Sequence, residues 1–354
     1  MNEKGTINFK FMKALVLTEY NKFEIQEVPV PEFQPDEVLV RVKAVGICGS
    51  DVHGMDGSTG RRIPPIIMGH EAAGIIEQTG AAVNGWQTGD RVTFDSTIYR
   101  LDDWYTRKGL YNLSDNRQVL GVSCPEFKRD GAFAEYVAVP QHILYKLPGN
   151  VRFEHAAMVE PVAVALHALN LTTISVNDTV VVGGAGMIAL FVIQLLKLAG
   201  CGKIIAFDLD EDRLQLALKL GATHVYKAGA DNIPEEIKKL TQGRGADIGF
   251  EVVGNTPVLK TVIESVRKGA QVTLVGNVSA QVELPLQMVV TRQLKLQGTC
   301  AICGEYEQVL DIISKGKIEI DPLLSAAAPL EEGANWFTRL HKREKGLMKV
   351  VLKP

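Results

Sequence analysis

Cysteine is scarce in this 354-residue chain, neither sign of charge dominates, and no apolar run is long. The five cysteines, at 48, 124, 201, 300 and 303, are odd in number and scattered, which suits a reducing compartment better than a disulfide framework and makes the cytoplasm the expected setting. A formal charge of -3 without long like-charge runs removes the electrostatic case for nucleic acid or an anionic membrane as partner. The most apolar window, MIALFVIQLLKLAG at 187–200, is too short to span a bilayer. The opening MNEKGTINFKFMKALVL carries charge where a secretory signal needs an apolar core, so no signal is expected and the first eleven residues read as an extension. No repeat of fixed period and no low-complexity tract is present. What remains is small-molecule chemistry.

A chain of this length exceeds what one hydrophobic core fills, so two domains are expected. From about residue 12 to 150, short apolar or alternating segments stand between Gly, Pro and Asp: ALVLTEY, EVLVRVKAVGI, AAGIIEQTG, GDRVTF and GAFAEYVAVP. That half reads as mostly β. Near 150 the spacing turns helical in FEHAAMVEPVAVALHALNL, and strand-then-helix pairs follow to about 297. This is the pattern of a doubly wound parallel sheet.

Within it, VVVGGAGMIAL places Gly184, Gly186 and Ala189 as a G-x-G-x-x-A turn between strand and helix. Small residues there let the backbone approach a pyrophosphate, whose charge meets free helix N–H groups. The next strand ends at Asp208, where a carboxylate accepts from an adenosine ribose, and Leu209 follows rather than an arginine. Those residues favour NAD over NADP.

CGSDVH at 48–53 and GHEAAG at 69–74 offer the thiolate of Cys48 and the imidazole of His70, the ligand types zinc prefers, with Glu71 or a later carboxylate as an oxygen donor. Taken alone, such a pair more often describes a buried thiol and a satisfied core imidazole than metal ligands. Six segments in order, CGSDVH, GHEAAG, GDRV, GAFAEY, MVEP and GGAGMI, make the chain resemble the zinc-containing medium-chain alcohol dehydrogenases over about residues 12–354, within the polyol (sorbitol/L-iditol-like) and threonine dehydrogenase branch.

The resemblance implies an α/β protein with a mostly β, GroES-like catalytic domain at 1–158 and 297–354 and a Rossmann NAD-binding domain at 159–296. It places Cys48, His70 and Glu71 on catalytic zinc ligand positions, and Glu160 on the glutamate that either ligates zinc or holds its water. Ser50 and His53 fall where the family passes the hydroxyl proton to solvent; Asp51 is expected to orient the loop. Gly184, Gly186, Met187, Ile188, Asp208, Arg213, Val275 and Gly276 fall on cofactor positions. The implied reaction moves a hydride from a secondary alcohol of a polyol, sugar or sugar derivative to NAD, giving a ketone, in a cytoplasmic homodimer or homotetramer paired through a sheet edge in QVTLVGNVSAQVELPLQMVV. Alternatives are threonine or a short diol as substrate, a zinc-free NADPH reductase of the same superfamily, and a non-catalytic NAD-binding sensor.

Two departures stand out. The cysteines that hold a second, structural zinc in many relatives are replaced by Arg100, Asp103, Thr106 and Ser114, so that zinc is expected to be absent. Packing of Trp104, Tyr105 and Tyr111, or charge pairs among Arg100, Asp102, Asp103 and Arg107, must then hold the lobe. Cys300 and Cys303 form a lone C-x-x-C and are no substitute. Beside them Ala301 and Ile302 replace an Arg-Tyr pair typical of sorbitol dehydrogenases, which shifts weight toward another polyol, a sugar phosphate, a cyclitol or a smaller diol. Tyr99, Arg100, Glu126 and Arg129 are further cleft candidates of equal merit as surface side chains.

Overall fold

The computed structural model describes residues 10–354, so residues 1–9 of the expected extension lie outside the described residues. Phe11 already opens the first strand, Phe11–Glu19. The chain divides into two units. One runs to Glu160 and resumes at Ile302–Lys315 and Leu323–Pro354; the other comprises Pro161–Ala301 and Gly316–Pro322. No helix among the described residues is long and apolar enough to cross a membrane.

The first unit is built on Glu37–Gly46, whose apolar residues are buried and with which three strands pair antiparallel: Glu71–Thr79, Tyr136–Pro140 and Lys349–Lys353. Leu15, Leu17, Val40, Ile76, Phe94, Phe133 and Phe337 fill its core with almost no exposure. Burying side chains of that size supplies about 1.5–3 kcal/mol each, so a β segment of this composition folds only with its partners in place. Register matters most at one end. Gly46 lies opposite both Glu71 and Val351, so Cys48, two residues past the strand's end, meets His70–Glu71 and Lys349 although they are far apart in sequence.

The lobe at 95–117 is held by a carboxylate. Asp103 Oδ2 accepts from the backbone N–H of Tyr105 at 2.8 Å and Thr106 at 3.1 Å, and Oδ1 accepts from Asp115 N at 3.2 Å. Ser114 also bonds Asp103, and the Arg100 N–H donates to Ser114 Oγ at 3.4 Å. The four positions where cysteines were expected are thus joined to one another by hydrogen bonds. Tyr111 stacks on Tyr99 with ring centroids 4.3 Å apart, as the packing expectation required, whereas Trp104 is 63% exposed and contributes an edge contact to Tyr105. The Arg100–Asp102 pair is exposed and of small energetic weight.

In the second unit six parallel strands, numbered in chain order from Thr179–Gly183 to Lys295–Gly298, lie in the order 3-2-1-4-5-6. That order reverses direction at the first strand, the switch point at which doubly wound sheets bind dinucleotides. Capping follows the sequence: Asp210 accepts from Asp212 and Arg213 N–H at the start of Glu211–Leu220, and Asn255 from Val258 N–H at Thr256–Ser265. One expectation is corrected. The sheet's edge strands are His224–Lys227 and Lys295–Gly298; the segment expected to provide an edge leaves the sheet after Leu274, and Leu286–Thr291 is a short helix. Pro285 sits at the N-cap of that helix and could not donate to a strand ladder there.

Candidate active site

In the first unit, ligand atoms of Cys48, His70 and Glu71 lie within 4.8 Å of one another. Cys48 stands at the N-terminus of the short helix Gly49–Gly54, and the other two at the entry of Glu71–Thr79. Burial, reinforced by neighbouring Glu71, pushes the Cys48 thiol up to about 12. Nδ1 of His70 is buried and makes no hydrogen bond, lying 3.6 Å from Asp51 Oδ1. A thiol, an imidazole and a carboxylate crowded together in this way fit zinc: a dication reverses the cost of ionising the thiol, and a ring nitrogen facing a carboxylate is how ligating histidines are oriented.

Glu160, at the start of the helix Val159–Asn170, is not part of that close cluster, but His70, Glu71 and Cys48 all act on its charge. Burial pushes its carboxyl up to about 8, and Ser96 Oγ donates to its Oε1 at 3.4 Å. Ser50 Oγ donates to Cys48 Sγ at 3.3 Å. His53 is exposed, three positions along the same helix, so both side chains share one face. Partial burial of its ring, with Arg343 and His341 nearby, holds the His53 imidazole below its ordinary value, favouring the neutral acceptor form near pH 7.

Two residues escaped the sequence reading. Lys349 is 97% buried by side chain in the strand Lys349–Lys353; its ammonium bonds Glu71 Oε2 and, at 3.0 Å, Ile47 O. Burial pulls Lys349 down, but Glu71 and Cys48 outweigh it and hold the ammonium above its ordinary value. Arg62 is equally buried and pairs with Asp51 at 2.9 Å. Nothing in KVVLK or GRRIPP distinguishes a buried cation from a surface one. Asp51 does orient the loop, its Oδ2 accepting from Cys48 N at 3.4 Å. Of the further cleft candidates, Arg129 is bound structurally, to buried Glu37 at 2.7 Å and to Ala138 O.

In the second unit, Gly184 has φ +105°, which an L side chain resists. Gly186 caps Met187–Leu198, and a Cβ there would meet nothing within 4 Å, which leaves room at the start of a helix whose first N–H groups have no partner within the helix and suit a pyrophosphate. Asp208 Oδ2 accepts from Ala185 N at 2.7 Å and Oδ1 from Asp210 N at 3.0 Å, tying the acid to the glycine turn. Arg213 lies on the following helix, 3.9 Å from Asp210. Val275 and Gly276 follow the fifth strand, both N–H groups donating to Glu251 O. The eight expected cofactor residues therefore lie in this one unit, around the carboxyl ends of its strands.

A mostly β unit with a Cys–His–Glu cluster and a doubly wound unit with a dinucleotide turn define the class of zinc- and nicotinamide-dependent dehydrogenases. The chain belongs to the zinc-binding dehydrogenase family: residues 34–149 match the alcohol dehydrogenase GroES-like domain and residues 188–315 the zinc-binding dehydrogenase domain. It is 32% identical to the sorbitol dehydrogenase of Bacillus subtilis, over 97% of each chain. It is 30% identical to the D-xylulose reductase of Saccharomyces cerevisiae, over 96% of this chain and 97% of that one. The crystal structure of 2R,3R-butanediol dehydrogenase from Bacillus subtilis superposes with a TM-score of 0.87 at 30% identity, covering 97% of this chain and 99% of the other.

Proposed function

We propose that this chain is an NAD-dependent zinc dehydrogenase that oxidises a secondary alcohol of a polyol, sugar or sugar derivative to a ketone. The observation that carries the reading is the Cys48–His70–Glu71 cluster, with Ser50 against the thiol. Zinc, when held by Cys48, His70 and a carboxylate from Glu71 or Glu160, supplies Lewis acidity toward an alcohol oxygen. NAD, when bound along Gly184–Ile188, Asp208, Arg213, Val275 and Gly276, accepts the hydride. The chain's own residues handle the proton: Ser50 takes it from the substrate hydroxyl while releasing its own to His53, which, exposed and neutral near pH 7, delivers a proton to solvent. Glu160 orients a water or hydroxyl at the cluster.

The unit ending at Glu160 is then the catalytic domain, and the one opening at Pro161 the NAD-binding domain. Sorbitol dehydrogenase and D-xylulose reductase among its relatives support a polyol substrate. Butanediol dehydrogenase, at 30% identity, supports a smaller diol as a second reading. We read the protein as a cytoplasmic homodimer or homotetramer, supported by exposed Val282, Leu284, Leu286 and Val290 beside the sheet edge.

The test is NAD reduction by zinc-loaded protein across alditols, sugar phosphates, cyclitols, threonine and short diols, with NADP and chelated controls. Chelator-sensitive turnover of one class with NAD is expected. Silence throughout, with NAD still binding, overturns the catalytic reading.

A further inference from the structure

Arg62 is neither a metal ligand nor on the proton path, yet its guanidinium bonds Ser50 on that path and Asp51, the carboxylate that faces the ligand candidate His70. Nε and Nη2 donate to Asp51 Oδ1 at 3.2 and 2.9 Å, and Nη2 also reaches Ser50 Oγ at 3.3 Å. The side chain is only 4% exposed and Asp51 is fully buried. The seat is shaped for it: a Cβ at Gly54 would lie 2.6 Å from Arg62 Cγ, so the helix carrying Ser50 and His53 must have glycine at that position to admit the arginine.

The oxygen that Arg62 grips is the one facing His70 Nδ1. Asp51 can act on that ring only as a carboxylate, and a fully buried carboxylate needs a partner. Arg62 supplies the charge. Its second contact fixes the serine. Ser50 has one proton and two lone pairs; the proton goes to Cys48 Sγ and one lone pair to Arg62, leaving one lone pair as acceptor.

We propose that Arg62 is a positioning residue that couples the metal cluster to the proton path, holding Asp51 against His70 and Ser50 against Cys48 through a single planar fork. The inference rests on the proposed zinc chemistry. A lysine in its place keeps one charge but loses the fork, since a single ammonium cannot reproduce guanidinium geometry at two acceptors.

The experiment compares full-length wild type, Arg62→Met and Arg62→Lys in zinc- and cobalt-loaded forms. It measures zinc release to excess chelator, the cobalt–thiolate absorption band, and kcat and KM for NAD. Arg62→Met is expected to release zinc about tenfold faster, to shift the cobalt band and to lose about tenfold in kcat with KM for NAD unchanged. Arg62→Lys, which keeps the buried charge and remains the informative variant if the methionine protein does not fold, is expected to hold zinc as wild type does while kcat stays low. Wild-type zinc release and cobalt band in Arg62→Met, or full recovery of kcat in Arg62→Lys, overturns the proposal. If the wild type oxidises no secondary alcohol, the dehydrogenase reading fails, while the release and cobalt comparisons still decide the role of Arg62.

Discussion

Tyr111 donates a 2.8 Å hydrogen bond to the fully buried carboxylate of Asp95 and accepts one of the same length from Gly304 N, joining the lobe to the segment after residue 302. Burial pushes the Asp95 carboxyl up to about 7, against the opposing pull of the Thr97 N–H and the Tyr111 hydroxyl. The native state therefore binds a proton that the unfolded chain has released between about pH 4 and 7. Stability from this group falls as pH rises through that window, by at most about 1.4 kcal/mol for each pH unit crossed. Asp95→Asn removes the charge while keeping an acceptor. Its Tm should exceed wild type at pH 8 and approach it at pH 5; parallel Tm curves across that range would sink the assignment.

Cys48→Ser replaces the soft donor by a poor one. Turnover should vanish and zinc content fall, while NAD affinity measured by fluorescence stays near wild type, because the eight residues expected to bind the cofactor lie in the other unit. Full activity in this variant would remove the metal from the reaction.

Lys349→Met leaves Glu71 buried without its cation. Breaking such a pair costs roughly 3–5 kcal/mol, so the metal-free protein should melt well below wild type, and zinc should restore more stability to the variant than to the parent. Calorimetry with and without zinc measures both; equal zinc-induced gains would count against the pairing as the stabilising element.

Asp208→Asn keeps an acceptor for Ala185 N–H but removes the charge that repels a 2'-phosphate. The preference for NAD over NADP, as a ratio of kcat/KM, should fall at least about tenfold, or ~1.4 kcal/mol. An unchanged ratio would assign cofactor choice elsewhere.

Asp103→Ala frees three backbone N–H groups in the lobe at once. Limited proteolysis should then cut between residues 100 and 115 much faster than in wild type, with the nucleotide unit untouched; equal rates would mean that the tyrosine stack alone holds the lobe.

The strands and helices were legible wherever period and punctuation agreed, as in GDRVTF or in the glycine turn followed by MIALFVIQLLKL, because local pattern and tertiary burial demand the same thing there. Cys48, His70 and Glu71 were visible as ligand types; their meeting depends on the Gly46–Glu71 register, which no local pattern encodes. Arg62 and Lys349 were invisible for a different reason. A buried cation is permitted only by a particular carboxylate in three dimensions, and from sequence alone arginine and lysine default to the surface. The edge in the nucleotide unit differs because QVTL, at the start of the expected segment, pairs on both sides within the sheet, and the apolar residues after Leu274 form no strand.

The strand Lys349–Lys353 closes the sheet beside Glu37–Gly46, with Lys349 reaching Ile47 across 302 positions. The parallel sheet, by contrast, is complete once Lys295–Gly298 has been made. During synthesis the nucleotide fold can therefore form while the metal cluster still lacks its buried cation. A chain terminated prematurely before Lys349 would emerge able to hold a dinucleotide but unable to close the site that uses it.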